Sequence, residues 1–191
     1  MMSPRFDEAA LYALEKHRAQ RRKGSGVPYA THLFAVAAMV GERGGDEEQM
    51  MAALLHDVIE DQGVSGDELE VRFGPRVRRI VEGCTDAFVS PKPPWRERKE
   101  RYLALLPGKP AEVLLVSACD KLHNALSIAR DAADPEVGPR VWERFSAGRE
   151  ASLWYYRALV DAFRLGLSHS VVDELARAVR ALEEPTPRGA P

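Results

Sequence analysis

The stretch Leu54-Leu55-His56-Asp57-Val58-Ile59-Glu60-Asp61 sets four ionisable side chains at the end of an apolar, helix-favouring run that begins at Met50. Burying such groups is costly unless something compensates each charge. A bound cation would compensate, and imidazole and carboxylate are ligand types that hold one. The stretch therefore predicts a helix that carries part of a metal site, with Glu60 and Asp61 as carboxylates beside it. If the helix continues that far, Glu60 stands four residues after His56 and Asp61 four after Asp57, so each projects on the same side as a ligand. The plain alternative is a helix that simply ends in solvent. The helix dipole disfavours acidic groups at a C-terminus, which weakens that alternative.

Outward from this stretch the chain reads as nearly all helix. Apolar residues recur at three- and four-residue spacing, and strand-like alternation is weak. A first helix is expected over residues 4–22, with Phe6, Ala9, Ala10, Ala13 and Leu14 inward. Gly24, Gly26 and Pro28 break it. A second is expected over residues 29–43 and a third over 46–59, with Asp46 as N-cap. Ser65 and Glu68 have capping-box spacing and start a short helix. Gly74-Pro75 separates it from a helix ending near Asp86. A proline-rich loop over residues 90–94 leads into a helix over 95–106, and Pro107, Gly108 and Pro110 punctuate again. A long helix follows over 111–130, then two more over 149–165 and 171–183. The expectation is one all-α bundle of about eight to ten helices over residues 1–184, with a flexible tail over 185–191.

Two other segments could complete a cation site. His32 lies near the start of the second helix, and Asp120 lies within the long one. Alone, His32 reads as a hydrogen-bonded histidine. Asp120, Asn124 and Ser127 fall at i, i+4 and i+7, one polar stripe on a helix whose other side carries Leu115, Leu122 and Ala129. Such a stripe is either a hydrogen-bonded interior seam or the wall of a site. Two imidazoles and two carboxylates suit a six-coordinate divalent ion such as Mn²⁺, ahead of Fe²⁺ or Zn²⁺.

Composition narrows the classes. The net charge of −2 argues against a nucleic-acid-coating protein. No apolar run reaches the ~18 residues of a membrane span. The N-terminus lacks a secretory apolar segment, and Cys84 and Cys119 are too few for a disulfide scaffold. A cytoplasmic protein is expected. Amphipathic helices can pack within or between chains, so a homodimer stays open.

Together, His32, His56-Asp57 and Asp120 resemble the H…HD…D pattern of the HD-domain metal-dependent phosphohydrolases. The likeness is strongest to the RelA/SpoT hydrolase domain and its free-standing members, the small alarmone hydrolases. Gln20-Arg21-Arg22-Lys23 followed by Pro28-Tyr29 and His32, the Glu60-Asp61 pair, and Asp120-Lys121-Leu122-His123-Asn124 all match segments of that branch. The loop over residues 24–27 is one residue longer than usual, Leu33 stands where proline commonly follows the histidine, and Ala19 replaces a frequent glycine.

The resemblance implies hydrolysis of the 3′-pyrophosphate of ppGpp or pppGpp, with His32, His56, Asp57 and Asp120 on the metal and Glu60 and Asp61 as catalytic carboxylates. It also implies a small nucleotide as partner, with Arg22 and Lys23 near its base and phosphate and Asn124 and Ser127 at its ribose. Arg98 and Lys99, after the proline-rich loop, are candidates for a pyrophosphate clamp or for ordinary surface charge. Open alternatives are removal of the NADPH 2′-phosphate, hydrolysis of a nucleoside monophosphate, and a nucleotide sensor without turnover. His17, His123 and His169 read as structural, with His123 placed to support a metal ligand.

Overall fold

The computed structural model describes residues 2–88 and 91–184. Ser90 and the tail expected over 185–191 lie outside the described residues. The described chain forms ten α-helices and two 3₁₀ segments, and its only β-pairing is one isolated bridge between Arg21 and Pro28. The fold is all-α, as the helical periodicity predicts.

In chain order the helices are α1 (Pro4–Lys16), α2 (Ala30–Glu42), α3 (Glu47–Leu55), α4 (Val58–Gln62) and α5 (Gly66–Phe73). They continue with α6 (Pro75–Cys84), α7 (Trp95–Leu105), α8 (Ala111–Ala133), α9 (Gly148–Gly166) and α10 (Ser170–Glu183). The 3₁₀ segments are Leu106–Gly108 and Gly138–Arg144.

Helix α8 is the hub. It packs on α2, α3, α6, α9 and α10, and every residue from Val113 to Asp120 is buried. A helix buried all round must be apolar all round or hold its polar groups in pairs. Ser117 and Asp120 are its buried polar exceptions, and each has partners: Ser117 meets the Tyr102 hydroxyl, and Asp120 belongs to the site described below. Helices α2 and α3 lie against each other and against α8, which brings His32, His56 and Asp120 to one depth.

Local sequence explains the helix starts. Asp46 and Gln49 form a reciprocal capping box at α3, and Ser65 accepts the Glu68 amide at α5. His169 caps α10: its Nδ1 accepts from the Val171 amide, and its Nε2 lies 3.1 Å from the Arg43 carbonyl.

Three expectations need correction. The first helix stops at Lys16 rather than running to Arg22. Residues 17–23 carry no apolar periodicity to hold them on the core. Gly24 and Gly26, both at positive φ, let the chain double back, so that the Arg22 amide bonds the Val27 carbonyl and the Tyr29 amide bonds the Gln20 carbonyl. Leu14, expected inward, is 38% exposed, because the buried face of α1 is Ala9, Tyr12 and Ala13. The helix over 46–59 is broken: α3 ends at Leu55, Asp57 sits at φ −106° and ψ 1°, and α4 restarts at Val58. Gly63 then closes α4 in the left-handed conformation, with its amide on Ile59 and the Val64 amide on Val58. The remaining expected helices start or end within about three residues of the observed ones.

Phe73 sets the scale of core stability. It is fully buried at the end of α5 and meets Tyr12 of α1 edge-on at 5.4 Å. Phe73→Ala is expected to cost about 3–5 kcal/mol. Urea unfolding should show a lower midpoint with an unchanged slope. A loss under about 1 kcal/mol would mean the site collapses around the gap.

Candidate metal centre

The break between α3 and α4 shapes the site. His56 follows the last turn of α3, and its Nδ1 lies 2.8 Å from the Ala53 carbonyl. A carbonyl can only accept, so Nδ1 carries a proton and Nε2 is the ring atom that could face a cation. That Nε2 lies 3.0 Å from Asp57 Oδ2 and 3.6 Å from Asp120 Oδ1. From α2, His32 Nε2 approaches the same Asp120 oxygen at 3.1 Å. One ligand atom each from His32, His56 and Asp57 can be chosen so that all lie within 4.8 Å of one another.

A divalent cation fits these donors. Both Nε2 atoms are buried and neither makes a hydrogen bond, although a carboxylate oxygen lies 3.1 Å from that of His32 and 3.0 Å from that of His56. Ligands bound at roughly 2.1 Å and at right angles stand about 3 Å apart, close to the spacing here. Protonation follows the same logic. Burial alone would lift the Asp57 and Asp120 carboxyls. The His56 ring beside Asp57, and Lys121 with His56 beside Asp120, pull both well below the usual carboxylate range. Burial would depress His56, but the two carboxylates outweigh it and raise its pKa, whereas burial wins at His32 and lowers it. The cluster thus favours a positive charge at its centre, which a metal ion would supply.

Neighbouring groups aim the carboxylates. The Tyr29 hydroxyl donates to Asp57 Oδ2, and the Tyr29 ring sits between His17 and His32. Lys121 Nζ donates to Asp120 Oδ2 and Asn124 Nδ2 to Asp120 Oδ1, both at 2.6 Å. His32 Nδ1 meets His123 Nδ1 at 2.7 Å. Burial and then His32 push the His123 pKa down to about 4, so that ring is neutral.

Glu60 and Asp61 stand in the first turn of α4, not on a continuation of α3. Their direction is therefore set by the chain break and not by helical periodicity carried on from α3, and the dipole at a helix N-terminus favours them. Lys92 Nζ lies 2.8 Å from Glu60 and 3.5 Å from Asp61, and Gln20 donates to Asp61 at 2.8 Å. Burial and then the nearby Asp86 raise the Glu60 carboxyl.

Arg98 and Lys99 are not loose surface charge. Their side chains are 12% and 17% exposed, and both bond Asp86, at 2.6 Å and 2.5 Å. Burial would raise Asp86, but Lys99 and Arg98 hold it down at about 2. Arg98 also reaches to 3.8 Å from Glu60. The cation that touches both carboxylates is Lys92, which sequence reasoning passed over because a lone lysine among prolines carries no pattern.

Beyond His123 opens a cavity of about 310 Å³, lined in part by Arg22, Lys23, Ser127, Arg130 and Arg144. Of the expected substrate contacts, Arg22, Lys23 and Ser127 meet there. Asn124 is engaged on Asp120 instead, and Arg98 and Lys99 lie on the Glu60 side. Arg130 and Arg144 went unnoticed in the sequence, the latter because the 3₁₀ segment Gly138–Arg144 has no helical periodicity.

The HD-domain family model matches residues 9–151. The chain belongs to the HD-domain family. Within it, the chain is of the RelA/SpoT hydrolase type. This HD-domain chain is 38% identical over 146 residues to the guanosine-3′,5′-bis(diphosphate) 3′-pyrophosphohydrolase MESH1 of Xenopus tropicalis, across 75% of this chain and 80% of that protein. To MESH1 of Homo sapiens it is 40% identical over 141 residues, across 72% and 77%. A solved structure described as a metazoan ortholog of SpoT that hydrolyzes ppGpp and plays a role in starvation responses superposes with a TM-score of 0.77. It is 29% identical and covers 94% of this HD-domain chain and 96% of its own. No helix among the described residues is long and apolar enough to cross a membrane.

Proposed function

We propose that this protein is a metal-dependent hydrolase of the 3′-pyrophosphate of ppGpp-type alarmones, releasing pyrophosphate and GDP or GTP. The observation that carries the reading is two unpartnered buried imidazole nitrogens facing two ionised carboxylates, beside a cation-lined cavity. The curated relatives bearing that activity in their names support it.

His32, His56, Asp57 and Asp120 would hold the ion, and their mixed nitrogen and oxygen donors suit Mn²⁺. When bound, a divalent ion lowers the pKa of water and offsets charge on the attacked phosphoryl group. Glu60, with its raised carboxyl, is suited to take a proton from water near neutral pH. Asp61, held by Gln20, orients that water. The half-exposed Lys92 can pass its ammonium from the two carboxylates to a phosphate oxygen. Arg98 tempers the charge on Glu60 from behind, with Lys99 and Asp86 fixing its position. Arg22 and Lys23 receive the nucleotide, and Ser127 and Asn124 lie at the ribose side. Every one of these groups comes from a single chain.

The test is product identity with purified protein and Mn²⁺ over ppGpp, pppGpp, ppApp, NADPH and deoxynucleoside monophosphates. Pyrophosphate from ppGpp, absent without metal, is the expected result. Orthophosphate from NADPH or a monophosphate, with ppGpp untouched, would reject the reading.

A further inference from the structure

We propose that Arg144 reads the 5′-phosphates of the nucleotide and so makes the protein selective for substrates phosphorylated at both ends. The inference rests on the hydrolase reading above, because it takes the 3′-pyrophosphate to lie at the metal cluster.

Charge in the cavity beyond His123 is lopsided. Its lining includes four cations, Arg22, Lys23, Arg130 and Arg144, against one carboxylate, Asp131. A guanine base and a ribose need no such excess. On the hydrolase reading the 3′-pyrophosphate lies at the cluster of His32, His56, Asp57 and Asp120, none of which lines this cavity. The remaining cationic wall therefore suits a second phosphorylated group on the same molecule.

Among these cations Arg144 is the one built in place. It closes the 3₁₀ segment Gly138–Arg144, its side chain is 15% exposed, and one guanidinium nitrogen bonds Asp131 Oδ2 at 2.5 Å. Its other N–H groups make no hydrogen bond among the described residues, so they remain available as a fork for phosphate oxygens. By contrast, the Arg130 side chain is 74% exposed, and Arg22 lies over the Tyr29 ring at 5.9 Å.

The stem of Arg144 passes close over the turn that carries Arg22 and Lys23. A Cβ placed on Gly24 would fall 2.3 Å from Arg144 Cδ, and Gly24 already needs positive φ, at +74°. The turn that presents Arg22 and Lys23 thus has a glycine where the arginine crosses it.

The experiment compares ppGpp with guanosine 3′-diphosphate, which carries no 5′-phosphate, and measures binding of GDP and of guanosine by calorimetry. The variant is Arg144→Met, which keeps the stem over Gly24 and loses the fork. Wild type should prefer ppGpp in kcat/KM, and the variant should lose at least about tenfold of that preference through KM. GDP binding should weaken by a similar factor while guanosine binding holds. Arg144→Lys, a point charge without the fork, should fall between the two. Arg157→Gln, an exposed arginine on α9, is the control and should match wild type. Equal KM changes on both substrates, or unaltered GDP binding, would overturn the assignment. If Arg144→Met does not fold, Arg144→Gln is read against the same criteria. If wild type turns over neither 3′-substrate, the hydrolase reading fails, while the GDP and guanosine binding data still decide the role of Arg144.

Discussion

Asp120→Asn should strip the protein of bound divalent metal and of turnover together. Asp120 is the carboxylate shared by both imidazoles, at 3.1 Å from His32 and 3.6 Å from His56. An amide of the same shape offers no negative charge to an ion. Losing a group that merely orients a ligand costs about 10–100-fold in metal affinity, so losing a ligand should cost more than ~100-fold. Lys121→Met supplies that lesser comparison, since Lys121 touches only the outer Asp120 oxygen. Asparagine is preferred to alanine because its amide oxygen can still accept a hydrogen bond from Lys121, whereas alanine would leave that ammonium with no acceptor at all. Metal content after dialysis and calorimetric titration with Mn²⁺ read the outcome. Full metal content in Asp120→Asn would refute the ligand assignment, whatever happens to the rate.

Glu60→Gln should leave metal content intact and lower kcat by about 10²–10⁴, the range for loss of a positioned proton acceptor. The glutamine oxygen can still accept from Lys92, so the loop stays anchored. The pH dependence has a definite sign. Burial and Asp86 raise the folded-state pKa of Glu60, and a base must be ionised to act. The wild-type rate should therefore fall as pH drops through a value above the ordinary glutamate one of about 4.3. That acid limb should vanish in the variant. Stability runs the other way. A carboxyl raised in the folded state favours folding only while protonated, and the ionised form is a cost at neutral pH. The variant should therefore melt no lower than wild type at pH 7. A kcat within threefold of wild type with the acid limb retained would remove Glu60 from the proton-transfer role.

Much of the fold was legible in the sequence because its signals are local. Helical spacing, the Ser65 cap and the Gly74-Pro75 break each act within a few residues. The misreadings have local causes too. The end of the first helix was missed because charged residues with good helix propensity, Arg18 to Lys23, fail to continue it when nothing apolar pins them. The Asp57 break was missed because Val58 and Ile59 carry the apolar pattern across it, and only tertiary contacts such as Tyr29 to Asp57 reward the interruption. At the candidate site, the residue types in His32, His56-Asp57 and Asp120 pointed to a common ion, and the structure brings them together. Lys92, Arg144 and Asp86 were invisible because each is positioned by a partner 12 to 32 residues away, beyond the reach of any local spacing rule. Arg98 and Lys99 were noticed for their charge, but Asp86, which immobilises them, lies across a loop.

The joint at Asp57 limits any attempt to transplant this chemistry. On an unbroken helix two successive side chains leave the axis about 100° apart. Here His56 closes one helix and Asp57 opens another, so adjacent residues can face one point. A designer who grafts the His-Asp pair onto a straight scaffold would copy the letters and lose the pincer. The unit to borrow is the whole elbow, from the α3 capping box to the left-handed Gly63, with Tyr29 bracing it from outside.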